Sequence, residues 1–245
     1  MPGYGELEFN LPCALLEAVD ARFDQIVPQT LREEHAAQVP NEQGVYCLFH
    51  LGRLVYIGKT DGGAGLRARL IRHARKLIGR TGLAPDDVSF KALRIFVFTA
   101  MDIEQDLIKR YGGVGALAWN GSGFGSNDPG KERDTTRYKD DHFDAMFPIN
   151  LDGCFVEFES KPMTVADTLS RLKAHLPYLL RYEREHVDLS EVSVVLPSNT
   201  TTRRALEICV SALPQGWHAT ALPSHIIVYK NDNRSFPSGV KIAQS

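Results

Sequence analysis

The chain has little cysteine, and what it has is scattered. Cys13, Cys47, Cys154 and Cys209 form no CxxC pair and no Cys/His cluster, which excludes a disulfide framework or a structural zinc site as the organising device. There is no apolar run approaching about 18 residues and no basic start leading into an apolar stretch. Neither membrane insertion nor secretion is expected, and a reducing cytoplasm is the simplest setting. Net charge is also nearly absent, at -2 from 28 bases and 30 acids, which argues against a protein devoted to coating nucleic acid. Internal repeats and low-complexity segments are lacking as well. What remains, 43% hydrophobic and 24% charged over 245 residues, is an ordinary globular balance, long enough to build a sizeable core without staples.

Residues 11 to 37 predict a helical cover, with Leu11, Leu15, Leu16, Val19 and Phe23 near helical spacing and Pro28 interrupting the run. GVYCLFH and RLVYIG, β-branched and aromatic around a Gly-containing turn, predict a hairpin. With a three-residue loop His50-Leu51-Gly52 and Gly52 left-handed, Tyr46 would sit directly opposite Tyr56, both phenols on one face. Leu66 to Ile78 predicts a helix on the stripe Leu66, Leu70, Ala74, Leu77 and Ile78, ended by Gly79, with Arg69 and His73 four apart on an adjacent stripe. A third strand over Ala92 to Thr99 and a short helix from Asp102, its N-cap, to Tyr111 follow. From Asn120 to Tyr138 the sequence is loop-like. After Pro148, FVEFE, a helix over Val165 to Arg184, VSVVLP, a helix over Thr202 to Leu213, WHATAL and HIIVY give a β-α-β-α-β-β order with balanced charge. The expected fold class is α+β: a small antiparallel β-sheet flanked by helices, with divisions at 1–40, 41–150 and 151–245.

The residues able to carry chemistry concentrate between 44 and 120. Arg67, Arg69, Arg72, Arg75, Lys76 and Arg80 follow one another with no acid among them, so one face is positive on a faintly negative protein. Seen singly, Tyr46 and Tyr56 read as half-buried strand aromatics, and Arg69 and His73 as part of a solvated basic face. Glu104 could be an acid favoured by a first-turn dipole. Yet Leu107 and Ile108, three and four residues on, put it beside the apolar face of its own helix, where an unpaired carboxylate is costly unless a cation meets it.

Order and spacing make these residues one pattern. Gly44-Val45-Tyr46 is followed by Tyr56-Ile57-Gly58-Lys59, then by Leu66, Arg69, Leu70 and His73 as LxxRLxxH, then by Glu104 in MDIEQDLIKRYG and by Trp119-Asn120. The series resembles the GIY-YIG nuclease superfamily, with Val45 in place of the usual Ile. Trp119-Asn120, Gly123-Phe124-Gly125 and Asp128-Pro129-Gly130 further resemble the branch of type II restriction endonucleases that cut GC-rich palindromes.

The resemblance implies a metal-dependent endonuclease hydrolysing phosphodiester bonds of double-stranded DNA, with Mg2+ as cofactor, Mn2+ able to substitute, and no nucleotide cofactor. A homodimer is expected, because two sites are needed to cut both strands of a palindrome. By resemblance Glu104 holds the metal, Arg69 grips a phosphate oxygen, Tyr46 positions or deprotonates the water, and Tyr56 orients phosphate or water. His73 and Lys59 assist as cations, and Asn120 braces the site. The base role requires the Tyr46 pKa to fall well below its ordinary value of about 10. DNA contacts are expected from Arg67, Arg72, Arg75 and Lys76 on the helix, and from Lys131, Arg133 and Arg137 in the loop 121–138. The alternatives are a structure-specific or repair nuclease, a phage-defence subunit that needs a partner, and a DNA-binding protein on a nuclease fold that no longer cuts. Residues 151–245 would serve dimerisation, target recognition or docking.

Overall fold

Asn10 opens the first helix by accepting the Cys13 amide at 3.1 Å, and α1 (Leu11–Gln25) buries Val19 and Phe23. The helix does not continue to 37. Pro28 lacks the amide a helix needs, and the chain turns instead into the two-residue β1 (Gln29–Thr30) and the single turn α2 (Glu33–Ala36). The computed structural model describes residues 2–6, 10–60, 63–96, 103–125, 130–153 and 155–245. Contacts divide the chain into two units, Met1–Arg75 with Pro85–Gly121, and Lys76–Ala84 with Ser122–Ser245.

In the first unit, β2 (Gly44–His50) lies between β3 (Arg53–Thr60) and β4 (Val88–Arg94), and β1 adds an edge, giving an antiparallel sheet in the order β1-β4-β2-β3. The hairpin register corrects the expectation. The turn has two residues, Leu51 and Gly52, both left-handed at φ 50° and 77°, and an irregularity between Leu48 and Phe49 shifts the pairing. Tyr46 therefore faces Gly58, and Tyr56 faces Leu48. The phenols still share a face, diagonally, because residues 56 and 58 alternate to the same side. The third strand begins at Val88 rather than Ala92, since VSFKALR already alternates around buried Val88 and Phe90; residues 97–99 of the expected strand lie outside the described residues.

One face of this sheet holds Val45, Cys47 and Ile57 against Val19 and Phe23 of α1 and Ile103, Leu107 and Ile108 of α4 (Ile103–Arg110). Each fully buried aliphatic side chain contributes about 1.5–3 kcal/mol. The α4 helix stops at the left-handed pair Gly112 and Gly113; its expected cap, Asp102, lies outside the described residues. On α3 (Leu66–Leu77), Leu66, Leu70, Ala74 and Leu77 are buried as the stripe requires, whereas Ile78 is exposed and Gly79 is left-handed at φ 67°.

The second unit contains α5 (Phe143–Met146), β5 (Phe155–Glu157), β6 (Met163–Thr164), α6 (Val165–His175), β7 (Leu179–Tyr182), α7 (Val187–Glu191), β8 (Ser193–Val194), β9 (Asn199–Thr201), α8 (Thr202–Ala212), β10 (Trp217–Ala221), β11 (His225–Lys230) and β12 (Val240–Gln244). Its main sheet runs β12-β10-β11-β7, with β7 parallel to β11. The single helix expected over 165–184 is broken by Pro177, whose ring also disfavours helix at the residue before it; Leu179–Tyr182 becomes a strand. VSVVLP pairs only through Ser193–Val194 with β6, FVEFE pairs with β9, and β12 has no counterpart in the expected order. Leu169, Leu172, Leu206, Val210, Trp217 and Ile226 are central to its core.

Residues 122–150, grouped with 41–121 on sequence character, make their contacts in this second unit. Polar anchors explain it. Asp134 is fully buried and meets Arg181, His225 Nε2 at 2.7 Å and the Tyr229 hydroxyl at 2.9 Å. The Tyr138 hydroxyl accepts a hydrogen bond from Arg133 Nε at 2.7 Å and lies 3.0 Å from Ser224 Oγ, which is 2.8 Å from His225 Nδ1. Asp144, also fully buried, pairs with Arg80 at 2.9 Å and with Arg133. No described helix is long and apolar enough to cross a membrane.

Candidate active site

The site is assembled on the sheet face that bears Tyr46 and Tyr56, and a glycine makes room for it. A Cβ at Gly58 would stand 2.4 Å from both Cζ and the hydroxyl of Tyr46. No side chain larger than hydrogen lets the Tyr46 ring cross that position. With the ring so placed, its centroid is 6.0 Å from that of Tyr56, and Tyr46 Oη is 2.8 Å from His73 Nε2. Arg69 Nε donates to the same oxygen at 3.4 Å. The Tyr56 ring meets His73 edge-on at 5.5 Å. Tyr46 and His73 are almost wholly buried, at 0% and 1% exposure, while Arg69 is half-buried.

The helix that presents Arg69 and His73 is held by groups far away in sequence. Asn41 Oδ1 accepts the Ala68 amide at 3.1 Å and Glu42 O accepts the Leu66 amide at 2.8 Å. Gly65, left-handed at φ 67°, lets Asn41 approach, since a Cβ there would lie 2.3 Å from its oxygen. Sequence reasoning missed Asn41; the glycine just before a helix start was the available signal.

Asn120 braces β3 from the other side of the unit's sequence. Its Oδ1 accepts the Ile57 amide and its Nδ2 donates to the Ile57 carbonyl, both at 2.9 Å. The Trp119 amide donates to Val55 O at 2.9 Å. The Trp-Asn pair thus grips the main chain on both sides of Tyr56, and the buried Asn amide satisfies a peptide unit that would otherwise be orphaned.

Burial dominates the electrostatics. It raises the Tyr46 pKa well above the ordinary phenol value; the Tyr56 oxygen adds to the rise, and the Arg69 guanidinium only partly opposes it. Tyr56 is raised too, first by burial, with Arg69 opposing and the Glu104 charge adding. Desolvation outweighs the single guanidinium, so burial and Arg69 by themselves do not give the lowered Tyr46 pKa that the base role requires. Tyr46 is a neutral phenol. Arg69 can only donate, so the Tyr46 oxygen accepts from it, while the direction of the bond to His73 Nε2 is set by the imidazole tautomer.

Glu104, in the first turn of α4 and half-buried, stands close enough for its charge to act on Tyr56. Among the described residues no group of three or more His, Cys, Asp or Glu could hold a metal. A single carboxylate still fits Mg2+, which keeps several waters and is commonly held by one or two carboxylates together with substrate phosphates. Lys59 is exposed, and strand alternation places it with Val45 and Ile57 on the face opposite the two phenols.

The expected DNA-contacting residues separate into two groups. Arg67, Arg72 and Arg137 are exposed, Arg67 also donating to Val39 O at 2.8 Å. Arg75 is exposed but paired with Glu33 at 2.8 Å. Lys131 is exposed with its ammonium 5.7 Å from the Tyr229 ring. Lys76 instead donates to Gly123 O and Phe124 O at 2.9 and 2.7 Å, and Arg133 is taken up by Tyr138 and Asp144; both serve the second unit's interior. Of the GFG and DPG segments, Asp128 and Pro129 lie outside the described residues. No protein-family model matches the chain, and no curated protein matches it.

Proposed function

We propose that the chain is a Mg2+-dependent endonuclease of the GIY-YIG kind acting on double-stranded DNA, working as a type II restriction enzyme and as a homodimer. The observation that supports this most is convergence. Tyr46, Tyr56, Arg69 and His73, drawn from two strands and a helix, meet within hydrogen-bond or ring-contact distance, with Glu104 acting on Tyr56 and Asn120 fixing the strand between.

In this reading Arg69, planar and permanently charged, grips a non-bridging phosphate oxygen. Glu104 would hold the Mg2+, which when bound supplies positive charge for the phosphate and the departing 3′ oxygen. Tyr46 holds its proton in the free protein; His73, acting as a neutral imidazole rather than as the cation expected from sequence, accepts that proton at Nε2 as Tyr46 takes one from water, so the base is a coupled phenol–imidazole pair. Tyr56 orients the phosphate or the water by its hydroxyl. One carboxylate per chain serves one strand at a time, which is the argument for two copies on a two-fold target.

The test is cleavage of plasmid DNA by the purified chain beside Tyr46→Phe and Arg69→Ala. Both variants should lose at least about a hundredfold in kcat, and wild-type ends should map to one short sequence. Near-normal turnover by Tyr46→Phe would remove the base role.

A further inference from the structure

The cations of the second unit are mostly paired, but two beside β7, an end strand of its main sheet, have no acid partner among the described residues. Lys173, at the end of α6, holds its ammonium 5.9 Å from the Tyr182 ring, and the Arg184 guanidinium lies 5.8 Å from the same ring. Among the described residues neither has an acid partner. Arg181, between them in sequence, is neutralised by buried Asp134, and the Glu183 carboxylate is turned to the Lys230 amide at 3.3 Å. The crowding is unfavourable in the free protein: Lys173 is lowered in pKa, first by burial and then by Arg184 and Arg181. An anion relieves such a cluster. Tyr182, half-buried, offers one ring to both charges, and β7 is an end strand of its sheet. Pairing that edge with a second copy of itself would bring like charges together, so a strand partner fits poorly and a polyanion fits well.

We propose that Lys173, Tyr182 and Arg184 form a second contact surface for the phosphate backbone of duplex DNA, separate from the basic helix and from the loop 121–138. The inference rests on the nuclease reading for its choice of polyanion.

The experiment measures binding of a short random duplex to the full chain by fluorescence anisotropy, in chelator so that nothing is cut, across a series of salt concentrations. Each lost phosphate contact lowers the slope of log K against log salt by about 0.9. Lys173→Gln/Arg184→Gln should therefore lower it by about 1.8 with an unchanged melting temperature, and Lys173→Arg/Arg184→Lys should restore it. Should the double variant fold poorly, Arg184→Gln alone, at an exposed position, should lower the slope by about 0.9. An unchanged slope in folded variants would overturn the proposal while wild-type DNA binding left the nuclease reading standing. A change seen with an RNA duplex and not with DNA would also overturn it. Absence of salt-dependent DNA binding by the wild type would overturn both.

Discussion

Among single residues, Gly58 carries the most consequence for its size. Gly58→Ala puts a methyl group 2.4 Å from the Tyr46 hydroxyl, and the ring must leave its place between Arg69 and His73. The expected cost is about 1–3 kcal/mol of stability from overpacking and about a hundredfold in cleavage rate from misplacement, with DNA affinity nearly unchanged; urea unfolding and single-turnover kinetics check the two parts. The phenols also set a pH dependence. Because burial holds Tyr46 and Tyr56 above the ordinary value of 10.0, folding stability is indifferent to them below that pH. It falls as pH rises beyond about 10, where unfolded phenols ionise and the folded ones do not. Unfolding free energies at about pH 8 and 10.5 should show the drop, reduced in Tyr46→Phe. That Tyr46, Tyr56, Arg69 and His73 come together was legible from motif order. The raised pKa was not, because it depends on how deeply the ring is buried, and no spacing reports that.

Elements were legible where the local pattern was strong. The α3 stripe and its Gly79 stop could be read directly, as could α8 and the strands around Tyr46 and Tyr56. Register was harder: a two-residue turn with Leu51 left-handed, plus the irregularity at Leu48, moved Tyr46 from Tyr56 to Gly58. Pro177 was a visible break that the apolar run around it masked, and β7 has meaning only through its parallel partner β11. Asn120 shows the same limit. A lone Asn after a Trp says nothing until the strand it clamps is known. Asn120→Ala removes both bonds to Ile57 and leaves a buried peptide unit unsatisfied, so a loss of about 1–3 kcal/mol is expected. Calorimetric melting should show it, and Asn120→Asp should not restore it, since a carboxylate cannot donate to the Ile57 carbonyl.

For the whole molecule, the sequence marked a change of character near Pro148, whereas the contacts divide the chain at Gly121. The reason is polar and long-range. Asp134 is bound to Arg181, His225 and Tyr229, far along the chain, and no local pattern announces such a set. Asp134→Ala leaves Arg181 and His225 buried without their counter-charge and should cost about 3–5 kcal/mol, read as early unfolding of the second unit in hydrogen exchange. A second set of the same kind, Asp144 and Tyr138, explains why Arg133, expected at the DNA, is instead part of the interior.

The central claim is that the buried Tyr-His-Arg cluster with Glu104 is a phosphodiesterase site. Its most direct test is incubation of the purified chain with unmethylated phage DNA in Mg2+, beside Glu104→Ala. Discrete fragments from the wild type and none from the variant are the result this account predicts. Equal cutting by both, or no cutting by the wild type across several divalent metals and DNA substrates, would contradict it.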